Sequence, residues 1–323
     1  MEFLISDVHE DLASSLDAML TKSDLPSVIR AWSAGDRDPA RKVFAHLTDA
    51  GVSGLLIDES HGGSSAGAIE MVVALEQLGR HAVPGPLAES IAAVPVLLRS
   101  ADAEDRLSAL AEGALATCAI PPLAPFAADA ETATAYLVDE GRVSTASPTD
   151  TRASVDATRT VSRLEADSVI ATDVDAGPAI DVAVLATAAQ LLGLASTMLA
   201  IAAEYAQARK QFGRAIGSFQ AVKHHLADVA IAIEMARPLV HGAALGIDGQ
   251  VPEGTDVHRD VSAAKVAAGD AANLSARRAL QVLGAIGYTA EHDLSLYLTK
   301  TRALLGAWGT AATHRHRILE TLG

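Results

Sequence analysis

The residues best suited to chemistry lie in one stretch, Tyr205 to Asp228, where Arg209, Lys210 and Arg214 bunch around Phe212-Gly213 and Gln220 follows. The pattern predicts a helix that halts at Gly213, turns through Gly217 and restarts after Ser218 as N-cap, with Val222 to Ile231 beneath it. Cations near a helix C-terminus complement its dipole, so one reading is simple capping on a solvated face. Arg209 and Gln220 point further, because a planar fork of donors and an amide suit a diphosphate and its attached sugar or base.

Other candidates read as structural. His224-His225 and the pair His314 and His316 are adjacent or two apart, so on a helix they point in different directions, and no carboxylate or cysteine stands at ligand spacing. No metal site is expected, and these histidines read as surface or interface residues. Lys265, in an alanine-rich run, is expected to face solvent or an interface. Gly62-Gly63-Ser64-Ser65 has no preceding strand, no lysine and no dinucleotide fingerprint, which leaves a plain turn.

The elements that must position these residues are mostly helices. Half of the 323 residues are hydrophobic, few are aromatic and alanine is abundant, a composition that favours tightly packed helices. Residues 1–112 read as an N-terminal helical domain. Asp38 and Pro39 open one helix that stops at Gly51, and Ile69, Val72, Val73, Leu75 and Leu78 form the apolar stripe of another. Residues 113–175 turn to short Thr-, Val- and Ala-rich runs, which predict a small antiparallel β domain with strands near 114–120, 134–138, 142–146, 158–164 and 168–171. Residues 176–323 return to helices that can pack as a four-helix bundle. The fold class is therefore mainly α with a small β domain.

The 22 uncharged residues between Asp181 and Glu204 have the length of a membrane span, yet Thr187, Gln190, Ser196 and many alanines favour a helix buried in the bundle. A net charge of −15 argues against a nucleic-acid partner. Cys118 stands alone, which excludes a disulfide framework and suits the cytoplasm. The first residues lack the basic flank and apolar core of a signal peptide.

Arg209 to Gln220 resembles the acyl-CoA dehydrogenase signature R-x-x-F-G-x-x-I-x-x-F-Q. Gln281 to Tyr288 is similar to the family's Q-V-x-G-G-x-G-Y, and Leu55 to Gly67 with Leu75 to Arg80 is similar to its L-V-P-E-x-x-G-G-x-G and L-E-E-L-G-R segments. The resemblance covers both ends of the chain. The middle lacks the T-E-P-x-x-G-S-D and W-I-T-N-type segments that in the family hold the flavin ring and the start of the acyl chain. It implies an acyl-CoA dehydrogenase-like fold with a reduced middle β domain and FAD as cofactor. Arg209, Phe212, Gln220, Gln281 and Gly284 would then reach across a dimer interface to the partner's flavin.

The family's reaction needs a carboxylate that takes the α-proton while a hydride leaves the β-carbon. In most members it is the glutamate of Y-E-G-T, and Ala307-Trp308-Gly309-Thr310 puts Trp308 there. In a minority it stands early in the long helix before an arginine, and those positions are Ala183 and Val184. No catalytic residue is thus expected in this chain. Asp181 and Glu291 are the alternatives as displaced bases, although Asp181 falls on the opposite helix face and Glu291 reads as a cap. Arg302, with Lys300 in place of the family's usual aspartate, reads as structural. The resemblance extends to short, base-lacking subunits of actinobacterial α2β2 acyl-CoA dehydrogenases of steroid catabolism. It implies a full-length dehydrogenase partner that supplies the base, most of the acyl-CoA site and a shared FAD. The alternatives are a self-sufficient homo-oligomer with a relocated base and a non-catalytic helical interaction protein.

Overall fold

The computed structural model describes residues 6–321. Residues 1–5, on which the expectation of no signal peptide rests, and residues 322–323 lie outside them. The N-terminal part holds α1 (Asp7–Thr21), α2 (Leu25–Ser33), α3 (Asp38–Asp49), α4 (Ala68–Arg80), α5 (Val94–Ser100) and α6 (Leu107–Ala111). The apolar stripe of α4 is buried as its spacing demands. Asp38 lies inside α3 rather than capping it: its amide donates to the Asp36 carboxylate at 3.0 Å, and Gly51 follows at φ 77°.

The middle part carries β1 (Ala116–Ala119), β2 (Ala127–Ala128), β3 (Thr134–Asp139), β4 (Arg142–Ala153) and β5 (Thr160–Ala171). They form one sheet in the order β1-β3-β4-β5-β2. The sheet is mixed, not antiparallel throughout, because β1 pairs in parallel with β3. The two strands predicted near 158–164 and 168–171 are one continuous strand, whose register against β4 shifts at three places, one of them at Pro148.

The C-terminal part contains α7 (Gly177–Ala208), a hairpin of β6 (Lys210–Gln211) and β7 (Arg214–Ala215), α8 (Gln220–Ile247), α9 (Val257–Leu283), α10 (Leu294–Leu304) and α11 (Ala311–Glu320). The helices α7 to α10 make the bundle, α11 packs on α9, and α4 packs against α7. Two glycines allow that last crossing. A Cβ on Gly79 would meet the Gln190 carbonyl at 2.3 Å, and one on Gly193 the Glu76 carbonyl at 2.0 Å, so the two backbones touch. Polar ties join the pair to the neighbouring helices: Arg237 on α8 donates to both oxygens of the buried Glu76 carboxylate of α4 at 2.7 Å, and Ser275 on α9 donates to the Ala195 carbonyl of α7. By length and composition α7 and α8 could each cross a membrane, but most of the apolar stretch of α7 is buried inside the fold.

Candidate functional site

Chain direction brings the predicted cofactor residues to one end of the bundle. The helix α7 runs in and α8 runs back, and α9, joined to α8 by residues 248–256, returns to the end where α8 began. The last turn of α7, the β6–β7 hairpin, the start of α8 and the end of α9 therefore share that end, with Arg209, Phe212, Gln220, Gln281 and Gly284 on them.

The helix α7 stops at Ala208, five residues before Gly213. A tight two-residue turn follows, with Phe212 at φ 51° and Gly213 at φ 78°, and Lys210 pairs with Ala215 and Gln211 with Arg214. Positive φ at both central residues is the hairpin geometry that matches strand twist, and in a bulky phenylalanine it costs about 1 kcal/mol or more. Phe212 is nonetheless 91% exposed, with an edge-on contact to Phe219 at 6.2 Å. Arg214 lies over the Phe219 ring at 4.1 Å. Ser218 does not cap α8; its hydroxyl donates to the Ala215 carbonyl, and Phe219 occupies the N-cap position. Gly284 ends α9 at φ 64°, its amide donating to the Leu280 carbonyl. Among the described residues the side chains of Arg209, Gln220 and Gln281 are exposed and have no hydrogen-bond or ion-pair partner within the chain. Unengaged donors on a helix-ended scaffold suit a charged, hydroxylated ligand.

At Trp308, where the resemblance implies a base, the geometry is the reverse. Trp308 is 4% exposed and sits at φ 54° before Gly309 at φ 97°. Its indole Nε1 donates to Oε1 of Glu89, itself 3% exposed, at 3.1 Å. Arg159 approaches the same oxygen at 3.7 Å, and Lys300 approaches Asp156 at 3.8 Å, both nearly buried. Asp129, also buried, accepts from the Thr160 amide at 2.8 Å, and burial holds its carboxyl above the usual range. Indole against carboxylate at hydrogen-bond distance leaves no room between them for an acyl chain.

The loop that presents Trp308 is braced from beneath. Lys265 is buried and not exposed as predicted: its Nζ donates to the carbonyls of Leu304, Leu305 and Gly309 at 3.3–3.5 Å, and burial pulls its pKa down to about 8. It does what a cap does for the end of α10. His314 is likewise fully buried, against the surface reading. Its Nε2 faces the Trp308 carbonyl at 2.8 Å, and a carbonyl can only accept, so Nε2 carries the proton while Nδ1 faces the Ser262 hydroxyl at 3.3 Å. Burial lowers the His314 pKa to about 4. The other predicted histidines are exposed or half-buried, and His316 pairs with Glu320 on the surface.

Among the described residues neither displaced-base candidate is hydrogen-bonded to Trp308. Asp181 is buried between His258 and Arg317, with the latter at 3.5 Å, and burial raises its pKa. Glu291 is exposed, and only its backbone carbonyl is engaged, accepting from Arg30; His292 supplies the side-chain contact to the amide of Leu294. Arg302 is exposed. Sequence reasoning missed Glu89. A lone carboxylate in the apolar run Leu87 to Leu98 was the available signal.

A helical N-terminal part, a small mixed sheet and a C-terminal helical bundle define the class of architecture. The model of the acyl-CoA dehydrogenase N-terminal domain matches residues 6–114 and that of the C-terminal domain residues 177–323. The chain belongs to the acyl-CoA dehydrogenase family. It is 31% identical to acyl-CoA dehydrogenase IpdE2 of Mycobacterium tuberculosis over 90% of this chain and 89% of that one. Among solved structures, the ChsE4–ChsE5 complex from Mycobacterium tuberculosis superposes with a TM-score of 0.83 at 21% identity, covering 100% of this chain and 99% of that one. A Tcur3481–Tcur3483 steroid ACAD variant gives 0.82 at 23% identity, covering 98% of each chain.

Proposed function

We propose that this chain is the base-lacking subunit of a heteromeric FAD-dependent acyl-CoA dehydrogenase, paired with a full-length dehydrogenase chain in an α2β2 assembly. The observation that carries the reading is the contrast between its two sites. The position of the base is filled by Trp308 bonded to Glu89, while the residues suited to the far half of the cofactor stand exposed and unengaged. FAD, when bound, supplies the acceptor for the substrate's hydride. In this assignment Arg209 holds the diphosphate, Gln220 and Gln281 bond the adenosine or ribityl end, and Phe212 walls the pocket, with Gly284 letting the α9 terminus approach closely. The partner supplies the carboxylate and the flavin-ring pocket.

Heteromeric and steroid-related relatives support both the pairing and a steroid-derived CoA thioester as substrate. The exposed apolar stripe on α8 supports the pairing independently. Ile231, Met235 and Leu239 are all exposed, and eleven residues of helix return Ile231 to the face of Gln220. Whatever covers the stripe is thereby brought to the cofactor residues. A buried, free Cys118 fits a cytoplasmic setting.

Replacing Arg209 with Ala tests the assignment. The complex purified with its partner should lose FAD, measured as flavin absorbance per protein, with both chains folded and still associated. An unchanged flavin ratio would remove Arg209 from the cofactor site and with it the complementing role.

A further inference from the structure

The buried cluster around Trp308 does not balance its charge. Glu89 comes from the short helical turn Glu89–Ala93, Asp129 follows β2, Asp156 and Arg159 lie in the turn between β4 and β5, and Lys300 stands on α10. The three carboxylates and Lys300 are buried, and Arg159 is nearly so. Three acids therefore face two cations in an interior where an uncompensated charge is expensive. Cys118 on β1 lies within electrostatic reach of Glu89, but burial pushes its thiol well above the ordinary range, so it adds no charge.

The three carboxylates are not equivalent. Arg159 approaches Oε1 of Glu89 at 3.7 Å, and Trp308 donates to the same oxygen. Lys300 approaches Oδ2 of Asp156 at 3.8 Å, while Oδ1 accepts from the amide and hydroxyl of Thr158 at 2.9 and 2.7 Å. Among the described residues no cation forms an ion pair with Asp129. Its Oδ1 accepts from the amide and hydroxyl of Thr160 at 2.8 and 3.3 Å, and its Oδ2 is buried with no hydrogen-bond partner. This is the pattern of a neutral carboxyl, whose carbonyl oxygen takes both donors and whose hydroxyl oxygen is left over. An anionic oxygen in that place would be stripped of water and given no donor in return. Burial holds Asp129 above its ordinary 3.8, with the Thr160 amide, Arg159 and Lys300 opposing the shift and Glu89 adding to it.

We propose that this junction is a proton-binding site, in which a proton on Oδ2 of Asp129 takes the place of the missing third cation, and that release of the proton as pH rises weakens the junction. The released proton goes to solvent and leaves one net negative charge among groups from all three parts of the chain. The site is independent of the assembly proposed above.

The test uses the full chain with 13C-labelled aspartate carboxyls, its Asp129→Asn and Asp156→Asn variants, and far-UV circular dichroism to establish that each is folded. At pH 7 wild type should show a protonated carboxyl resonance that is lost in both variants. In the first the group is gone; in the second two carboxylates balance two cations, so Asp129 ionises. Absence of any protonated resonance that Asp129→Asn removes overturns the proposal. Survival of that resonance in Asp156→Asn also overturns it, because burial alone would then hold the proton. Asp156→Asn carries this arm by itself if the first variant does not fold. Denaturation gives the second readout. The unfolded chain releases the proton near 3.8 and the folded chain retains it, so stability falls as pH rises from 3.8 to the folded value and is level beyond. The folding equilibrium constant of wild type, divided by that of Asp129→Asn, should therefore fall about tenfold per pH unit between pH 5 and 7, contributions common to both proteins cancelling. A ratio that does not change with pH overturns the linkage between proton and junction.

Discussion

The His314 imidazole, beside Lys265, braces the loop that presents Trp308, and that gives the loop a pH dependence. The His314 pKa is lowered to about 4 by burial, against an ordinary 6.5 in the unfolded chain. Between these values the unfolded chain binds the proton and the folded chain does not, so the contribution is fully present above 6.5 and is lost as pH falls toward 4. The linked loss amounts to roughly 3 kcal/mol. Chemical denaturation from pH 7.5 to 4.5 should show this acid limb, and His314→Gln, which keeps a donor for the Trp308 carbonyl, should flatten it; an identical limb in the variant would place its origin elsewhere. Sequence reasoning could not see this role. Trp308 stands out in the sequence because a motif surrounds it, but its partner Glu89 is 219 residues away, and nothing local marks the two as neighbours. Lys265 and His314 misled for the opposite reason. Their residue types predict exposure, and here backbone carbonyls at a helix end and in a loop satisfy them inside the fold.

Among the elements, α8 has a division of labour along its length. Its N-terminal turn presents Gln220, and three turns later the same face becomes the apolar run Ile231, Met235 and Leu239, with Met235 69% exposed. A face this apolar is unfavourable in water, and in the proposed assembly it is buried against the partner. Met235→Glu should therefore leave the isolated chain as stable as wild type, within about 0.5 kcal/mol, because the position is already solvated. The same change should abolish the heteromer seen by native mass measurement. Retention of the full assembly would show that the stripe lies outside the interface. The helices themselves were readable from the sequence, since apolar spacing and Gly or Pro punctuation fix their type and approximate ends. The β domain was less so. The two residues of β2 are too few to show a period, the parallel pairing of β1 with β3 depends on a crossing that no local pattern encodes, and Glu165 to Asp167 broke the alternation of a strand that in fact runs through them. Ser218 failed as a cap for a related reason: the hairpin before it captured its hydroxyl.

At the scale of the whole molecule, the buried cluster around Trp308 is also the junction of the three parts of the chain. Glu89 comes from the N-terminal part, Asp129, Asp156 and Arg159 from the β domain, and Lys300 and Trp308 from the C-terminal helices, so three carboxylates and two cations meet where the parts converge. Charges in such a place contribute less net stability than well-packed apolar groups would, yet removing one partner strands the other in a low-dielectric interior. Lys300 is the most exposed to this logic. Burial lowers its pKa, Asp156 opposes that shift, and Oδ2 of Asp156 has no hydrogen-bond partner of its own. Lys300→Met should accordingly destabilise the chain by about 3–5 kcal/mol, and adding Asp156→Asn should recover most of that loss because both charges then leave together. Amide hydrogen exchange locates the effect: in the single variant, protection should fall in both the loop around Asp156 and in α10, two regions more than a hundred residues apart in sequence. A loss confined to α10, or a single variant as stable as wild type, would mean that the cluster packs at the junction without joining the domains. Coupled loss in both regions would instead mean that the charges around Trp308 lock the β domain to the C-terminal helices.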